Sequence, residues 1–76
     1  SDFMGFEMFS KTLGVVGLGK IGSRVGKAAL ALGMKVLAYD PFVNEEMVSK
    51  LGFELVGLDD IWKRADVITF HVPKTK

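Results

Sequence analysis

The chain alternates short apolar runs with stretches whose apolar residues recur every three to four positions. Residues 12–17, Thr-Leu-Gly-Val-Val-Gly, are an apolar, β-branched run ending in glycine, which suits a strand buried on both faces of a parallel sheet. From Lys20 to Leu32 the residues Ile21, Val25, Ala28 and Leu32 fall at helical spacing and Gly33 follows. That pattern predicts a helix burying this face and ending in a left-handed glycine cap. Gly26 in its interior costs about 1 kcal/mol relative to Ala, so it is read as a point of close contact with the sheet. Residues 34–40 predict a second strand, ended by Asp40 and Pro41. Asn44 can cap a short helix with Met47, Val48 and Leu51 on its apolar side and Gly52 at its end. Residues 53–56 make a very short third strand. Leu58, Ile61, Trp62 and Ala65 lie at i, i+3, i+4 and i+7 and predict another short helix, with Asp59 placed to cap it. Residues 66–72 form a fourth strand, stopped by Pro73.

Strands alternating with helices imply a parallel sheet with right-handed crossovers, the first part of a doubly wound α/β fold. The expected strand order is 3-2-1-4, which makes the first strand central and reverses the direction of growth between strands 1 and 4. Sheets of this kind bind ligands at that reversal, beyond the carboxyl ends of the strands.

Composition narrows the range of functions. The chain has 76 residues, 49% of them hydrophobic and 25% charged, typical of an ordinary globular domain. This length is too short for two domains with a cleft between them. There is no cysteine, which removes disulfides and thiolate metal sites, and no metal site is expected. Ten basic residues against nine acidic ones give a net charge of +1, and no basic block suggests nucleic acid. No apolar run approaches the roughly 20 residues of a membrane span, and the start carries Asp2 and Glu7 rather than a basic leader. A soluble, cytoplasmic protein is the expectation.

The segment Gly17-Leu18-Gly19-Lys20-Ile21-Gly22 has the G-x-G-x-x-G spacing. It follows a buried strand, opens an amphipathic helix, and is succeeded 18 residues after Gly22 by Asp40 at the end of the next strand. Together these are the context in which the spacing marks a dinucleotide site rather than a bare turn. Gly17 would permit the tight turn, Gly19 would admit a pyrophosphate close to the backbone, and Gly22 would let the helix lie near the strand. Free N–H groups around Lys20, Ile21 and Gly22 would donate to the pyrophosphate, with Lys20 either adding charge or remaining a solvated surface lysine. Asp40 would accept from the adenosine ribose and repel a 2′-phosphate, so NAD is expected over NADP. The glycine and acid pattern alone also permits S-adenosylmethionine or FAD.

Longer strings carry a resemblance. Lys11-Thr-Leu-Gly-Val-Val-Gly-Leu-Gly-Lys-Ile-Gly, Gly33-Met-Lys-Val-Leu-Ala-Tyr-Asp-Pro, Leu58-Asp-Asp-Ile-Trp and Arg64-Ala-Asp-Val-Ile-Thr-Phe-His-Val-Pro resemble the NAD-dependent D-2-hydroxyacid dehydrogenases. Phe3-Met4-Gly5-Phe6-Glu7 echoes the approach to the first strand in the family's D-3-phosphoglycerate dehydrogenase branch. The resemblance covers nearly the whole chain and implies a half Rossmann dinucleotide-binding unit over residues 11–76, preceded by a lead-in segment over 1–10. It implies that Lys20 and Ile21 meet the pyrophosphate and that Tyr39, Asp40 and Pro41 form the adenosine-ribose end. Val72 and Pro73 would flank adenine, with Thr75 following in a Pro-x-Thr string. Ser10 stands where the family often has glycine, and Gly26 where alanine is usual.

The resemblance also implies that the family's catalytic arginine, glutamate and histidine lie beyond this stretch, so no catalytic residue is assigned and the chain alone is not expected to turn over substrate. His71 reads as a polar residue near a strand end, since the sequence places no partner acid beside it. Asp59-Asp60, being adjacent on a helix, do not form a working carboxylate pair. Trp62, the phenylalanines and the methionines are expected in the core. A different kind of expectation comes from the fourth strand: Val67, Ile68, Thr69 and Phe70 beside an unpaired edge would favour a homo-oligomer.

Overall fold

The computed structural model describes residues 9–71, and within them the chain runs β1 (Thr12–Val16), α1 (Lys20–Ala31), β2 (Lys35–Tyr39), α2 (Glu45–Lys50), β3 (Glu54–Leu55), α3 (Leu58–Arg64) and β4 (Val67–Phe70). All three strand pairings are parallel and the order is β3-β2-β1-β4. The doubly wound α/β architecture read from the sequence is therefore the observed one, with strand ends displaced by a residue or two.

The helices of the first two crossovers end where the sequence says they must. Gly33, with φ of 85°, donates to Leu30 O at 3.0 Å while Met34 N donates to Ala29 O at 3.0 Å. Gly52 and Phe53 repeat the pattern on Ser49 O at 2.9 Å and Val48 O at 3.2 Å. These paired bonds satisfy the last carbonyls of α1 and α2 and turn the chain directly into the next strand. The Asn44 side chain accepts from Met47 N at 2.9 Å, the expected cap of α2. The cap of α3 differs from expectation. Gly57 occupies that position with no side-chain bond, and Asp59 lies inside the first turn beside Asp60, where both acids oppose the positive end of the helix dipole without capping it.

Alternation along the strands divides the core in two. Leu13 and Val15 of β1 and Val36 and Ala38 of β2 face one side, where they pack with Ala29 of α1, Val48 of α2, and Leu18, Met34 and Phe53. Gly14 faces the other side, toward Ile61 and Ala65, and Leu37 and Ile61 are fully buried outside the first cluster. A methyl group on Gly14 would stand 2.8 Å from Ile61 Cγ2, so the bare backbone there lets α3 settle onto the sheet.

Two expectations about burial fail. The face of α1 against the sheet is Gly22, Gly26 and Ala29, while Ile21, Ala28 and Leu32 are exposed. Small residues win that face because the helix lies close: a Cβ on Gly26 would overlap the Phe53 ring. Trp62 and most of the described phenylalanines are also outside the core. Trp62 and Phe70 are each 57% exposed and stack on one another at a centroid distance of 6.2 Å, and Phe42 and Phe9 are more exposed still. Only Phe53 is buried among the described phenylalanines, and of the two described methionines Met34 is buried and Met47 exposed. The reason is geometric: β4 is an outer strand, and among the described residues no further strand flanks its free edge, near which Trp62, Val67 and Phe70 are exposed.

Candidate functional site

The reversal of strand order between β1 and β4 places the glycine turn at the carboxyl edge of the central strand. The turn is held from both neighbouring strands. From β2, Tyr39 O accepts from Gly17 N at 2.9 Å, and the Asp40 carboxylate accepts from Leu18 N at 2.7 Å through Oδ2 and from Phe42 N at 2.8 Å through Oδ1. From the other side, His71 N donates to Val16 O at 2.7 Å, and its carbonyl sits where a side chain on Gly17 would project. Gly17 has φ of 95°, a left-handed conformation open to glycine.

The other two glycines of the motif serve different spatial needs. A Cβ on Gly22 would strike Gly17 O and stand 3.3 Å from Val15 Cγ1, so its absence permits the close approach of α1 to β1. A Cβ on Gly19 would meet nothing within 4 Å. The fold does not need glycine there, and the free space belongs to the pocket.

That pocket has a volume of about 580 Å³ and is open to solvent, within the range of about 300 to 1,000 Å³ usual for small-molecule sites. Gly19, Lys20, Ile21 and Gly22 form one wall, Asp40 a second, and Phe70 and His71 a third. The N-terminus of α1 opens into it. Gly19 is the cap and offers no side-chain bond, the first turn holds no acidic residue, and the first helical bond runs from Ser23 N to Gly19 O at 2.8 Å. The N–H groups of the first turn lack intrahelical partners, and together with the helix dipole they favour an anion. Lys20 lines the same wall. This donor set and the open space at Gly19 fit a pyrophosphate, and an acceptor at Asp40 fits a neighbouring sugar hydroxyl.

Of the residues singled out from the sequence, Gly19, Lys20, Ile21, Gly22 and Asp40 are brought together around the pocket, with Gly17 beneath it. Tyr39 and Pro41 are not in its lining. Tyr39 acts through its carbonyl on Gly17, and Pro41 is exposed in the turn after Asp40, because successive residues leaving β2 point in different directions. Val72, Pro73 and Thr75 lie outside the described residues. Leu18, Phe70 and the main chain of His71 were not identified by sequence reasoning. Leu18 is 7% exposed and anchored in the core; its apolar side chain between two glycines was the available signal. His71 Nε2 lies 2.8 Å from Thr69 Oγ1, which gives the imidazole a neutral partner. Among the described residues no group of acids and histidines could hold a metal ion, and no helix is long and apolar enough to cross a membrane.

Comparison with known proteins agrees with this geometry. The family described as D-isomer specific 2-hydroxyacid dehydrogenase, NAD binding domain, matches residues 1–76. A D-3-phosphoglycerate dehydrogenase from Synechocystis sp. is 58% identical over 74 residues, covering 97% of this chain and 13% of that protein. One from Archaeoglobus fulgidus is 53% identical, covering 97% of this chain and 14% of that protein. Among solved structures, the D-lactate dehydrogenase of Aquifex aeolicus complexed with NAD and lactic acid superposes with a TM-score of 0.75 at 49% identity, over 86% of this chain and 19% of that one. The Salmonella D-lactate dehydrogenase gives 0.80 at 40% identity, over 90% and 20%. The chain thus spans about a seventh of the length of the curated relatives it matches. Its strand order, its glycine turn and a family match running from its first residue to its last make the chain a member of the D-isomer specific 2-hydroxyacid dehydrogenases, within their NAD-binding domain.

Proposed function

We propose that this chain binds NAD through its ADP part and belongs to an enzyme that oxidises a 2-hydroxy acid, with D-3-phosphoglycerate as the substrate best supported by the relatives' names. The observation that carries the reading is the uncapped, acid-free start of α1 opening into a pocket whose far wall is the Asp40 carboxylate. The first-turn N–H groups hold the pyrophosphate, Gly19 leaves room for it, and Asp40 accepts from the ribose. A 2′-phosphate would meet that carboxylate, which favours NAD over NADP. Val72, Pro73 and Thr75 complete the adenine side in this proposal, and residues 11–76 constitute the nucleotide-binding unit after a lead-in over 1–10. The bound dinucleotide accepts hydride. The chain's own residues bind and orient it, and the groups that move the substrate proton belong to the longer protein. A cytoplasmic location is part of the same reading, because the dinucleotide is an intracellular coenzyme.

Titration calorimetry with NAD, ADP and NADP tests this directly. NAD and ADP should bind and NADP should bind more weakly; no heat with NAD from a folded chain refutes the proposal. A spectrophotometric assay with NAD and 3-phosphoglycerate should show no turnover by this chain alone.

A second reading, self-association through β4, is favoured by the contrast between the two edges of the sheet. At β3 the edge is only two residues long and carries Glu54 paired with Arg64 and Lys35, which discourages strand addition. At β4 the edge bears exposed Val67, Phe70 and Trp62. Light scattering should then give a dimer mass that reverts to monomer on Val67→Lys substitution, and a strict monomer at high concentration refutes it.

A further inference from the structure

We propose that Asp40 is a positioning residue for the phosphate turn, holding its main chain in the pyrophosphate-binding conformation before any ligand arrives. This rests on the dinucleotide reading above for its purpose, but the bond that carries it is independent of ligand. Both oxygens of the carboxylate are engaged by main-chain donors, Leu18 N at 2.7 Å and Phe42 N at 2.8 Å. The first of these reaches across 22 positions of the chain, from the end of β2 to the middle residue of Gly17-Leu18-Gly19. With Gly17 N on Tyr39 O at 2.9 Å, two successive N–H groups of the turn are pinned to the end of β2. Leu18 is pinned a second time by its side chain, which lies in the core.

The orientation of the next peptide units follows. With the Gly17–Leu18 peptide fixed at its N–H and the Leu18 side chain fixed in the core, the turn has little freedom before Gly19. The N–H groups that open α1 are thereby aimed into the pocket. A carboxylate suits this role and an amide does not. Asparagine has one acceptor oxygen, so one of the two N–H groups would face an NH₂ donor instead. Each carboxylate oxygen has a second lone pair, so holding the turn leaves Asp40 able to accept from a ribose hydroxyl. The residue that recognises the sugar would then also set the donors for the phosphates, and the two ends of the site are coupled.

The test uses a ligand without the ribose hydroxyls. Affinity for 2′,3′-dideoxyADP is measured in the wild-type chain, Asp40→Ala and Asp40→Asn, alongside the amide exchange of Leu18 by NMR. Were Asp40 only a ribose acceptor, its removal would leave dideoxyADP binding unchanged, or strengthen it because a negative charge near the phosphates is lost. If it positions the turn, Asp40→Ala weakens dideoxyADP binding by roughly tenfold, the scale of one charge-assisted hydrogen bond, and Asp40→Asn falls between. Leu18 amide exchange should accelerate at least about tenfold while the amides of Val15 and Val36 keep their protection. Unchanged or tighter dideoxyADP binding with a folded Asp40→Ala overturns the proposal. Should that variant fail to fold, unprotected Leu18 in the wild-type chain overturns it and slow exchange there supports it. If the wild-type chain binds no nucleotide, the dinucleotide reading fails by itself, and Leu18 exchange in wild type and Asp40→Asn still decides whether Asp40 holds the turn.

Discussion

Alanine at Gly17, Gly19 and Gly22 should separate folding from binding within one six-residue motif. Gly19 has φ of −78° and ψ of −158°, a conformation open to any residue, and a Cβ there meets nothing within 4 Å. Alanine loses less chain entropy than glycine on folding, worth about 0.4 to 1 kcal/mol, but is the poorer helix cap by a similar amount, so stability should be nearly unchanged. The new methyl occupies the space through which a pyrophosphate reaches the helix start. Loss of one or two charge-assisted bonds, at about 1.5 to 3 kcal/mol each, weakens NAD at least about tenfold and by up to about ten-thousandfold. Gly17→Ala behaves in the opposite way. Its left-handed φ costs about 1 to 2 kcal/mol with a side chain, and its Cβ runs into the His71 carbonyl, so a loss of at least about 2 kcal/mol is expected, or about 8 to 16 °C in a domain of this size. Gly22→Ala is intermediate, its collision with Gly17 O offset in part by about 1 kcal/mol of helix propensity. Circular dichroism melts and NAD titrations on the three variants provide the assay. If Gly19→Ala melts as low as Gly17→Ala, or binds NAD like the parent, the assignment of that open space to a ligand is wrong.

Other outcomes follow from single features. Ser10 has φ of 68°, so Ser10→Gly should raise the melting temperature by a few degrees, consistent with relief of about 1 kcal/mol. Gly26→Ala should destabilise by about 1 kcal/mol, overpacking against the buried Phe53 ring outweighing the gain in helix propensity. Combining it with Phe53→Leu should recover most of that loss in a double-mutant cycle, and strict additivity would refute the contact. Glu54 accepts two bonds from Arg64, at 3.2 and 2.9 Å, and that hydrogen-bonding partner holds its carboxyl below the ordinary value of 4.5. Because the folded-state value is the lower one, the bridge contributes stability above the ordinary value and loses it as pH falls through the depressed one. The melting difference between wild type and Glu54→Gln should be small, since both groups face solvent, and should vanish in acid.

The motif, the strand order and the three crossovers were legible because each rests on local chemistry: glycine at a required turn, asparagine at a cap, apolar runs at strand spacing. Three features were not, for two distinct reasons. Hydrophobicity along α1 favours a face of Ile21 and Leu32, whereas close packing on a sheet selects for smallness, and the buried face is Gly22, Gly26 and Ala29. Their spacing of i, i+4, i+7 was visible in the sequence as a stripe of small residues. Large apolar residues such as Trp62 and Phe70 are usually found in the core, but their burial depends on what lies beside β4, a property no local pattern carries. The same holds for Asp40. Its spacing from Gly22 marked it for the ribose, yet its bond to Leu18 depends on two distant segments meeting at the end of the sheet.

Asp40 has a counterpart at the other end of β1. Asp66 accepts from Thr12 N at 2.8 Å, and its own N–H donates to Thr12 O at 2.8 Å. One aspartate therefore holds the start of the central strand and another the residue two places beyond its end. Between these points the chain has a fixed count. Inserting or deleting a single residue in positions 12–18 cannot preserve both anchors, and between Thr12 and Gly14 it would also exchange the glycine beneath Ile61 for a side chain that the space excludes. The exposed turn after Asp40 is held by the local bond from Phe42 N to Asp40 Oδ1 and spans no such fixed distance, so changes of length should be absorbed at residues 41–43 and rejected within residues 12–18.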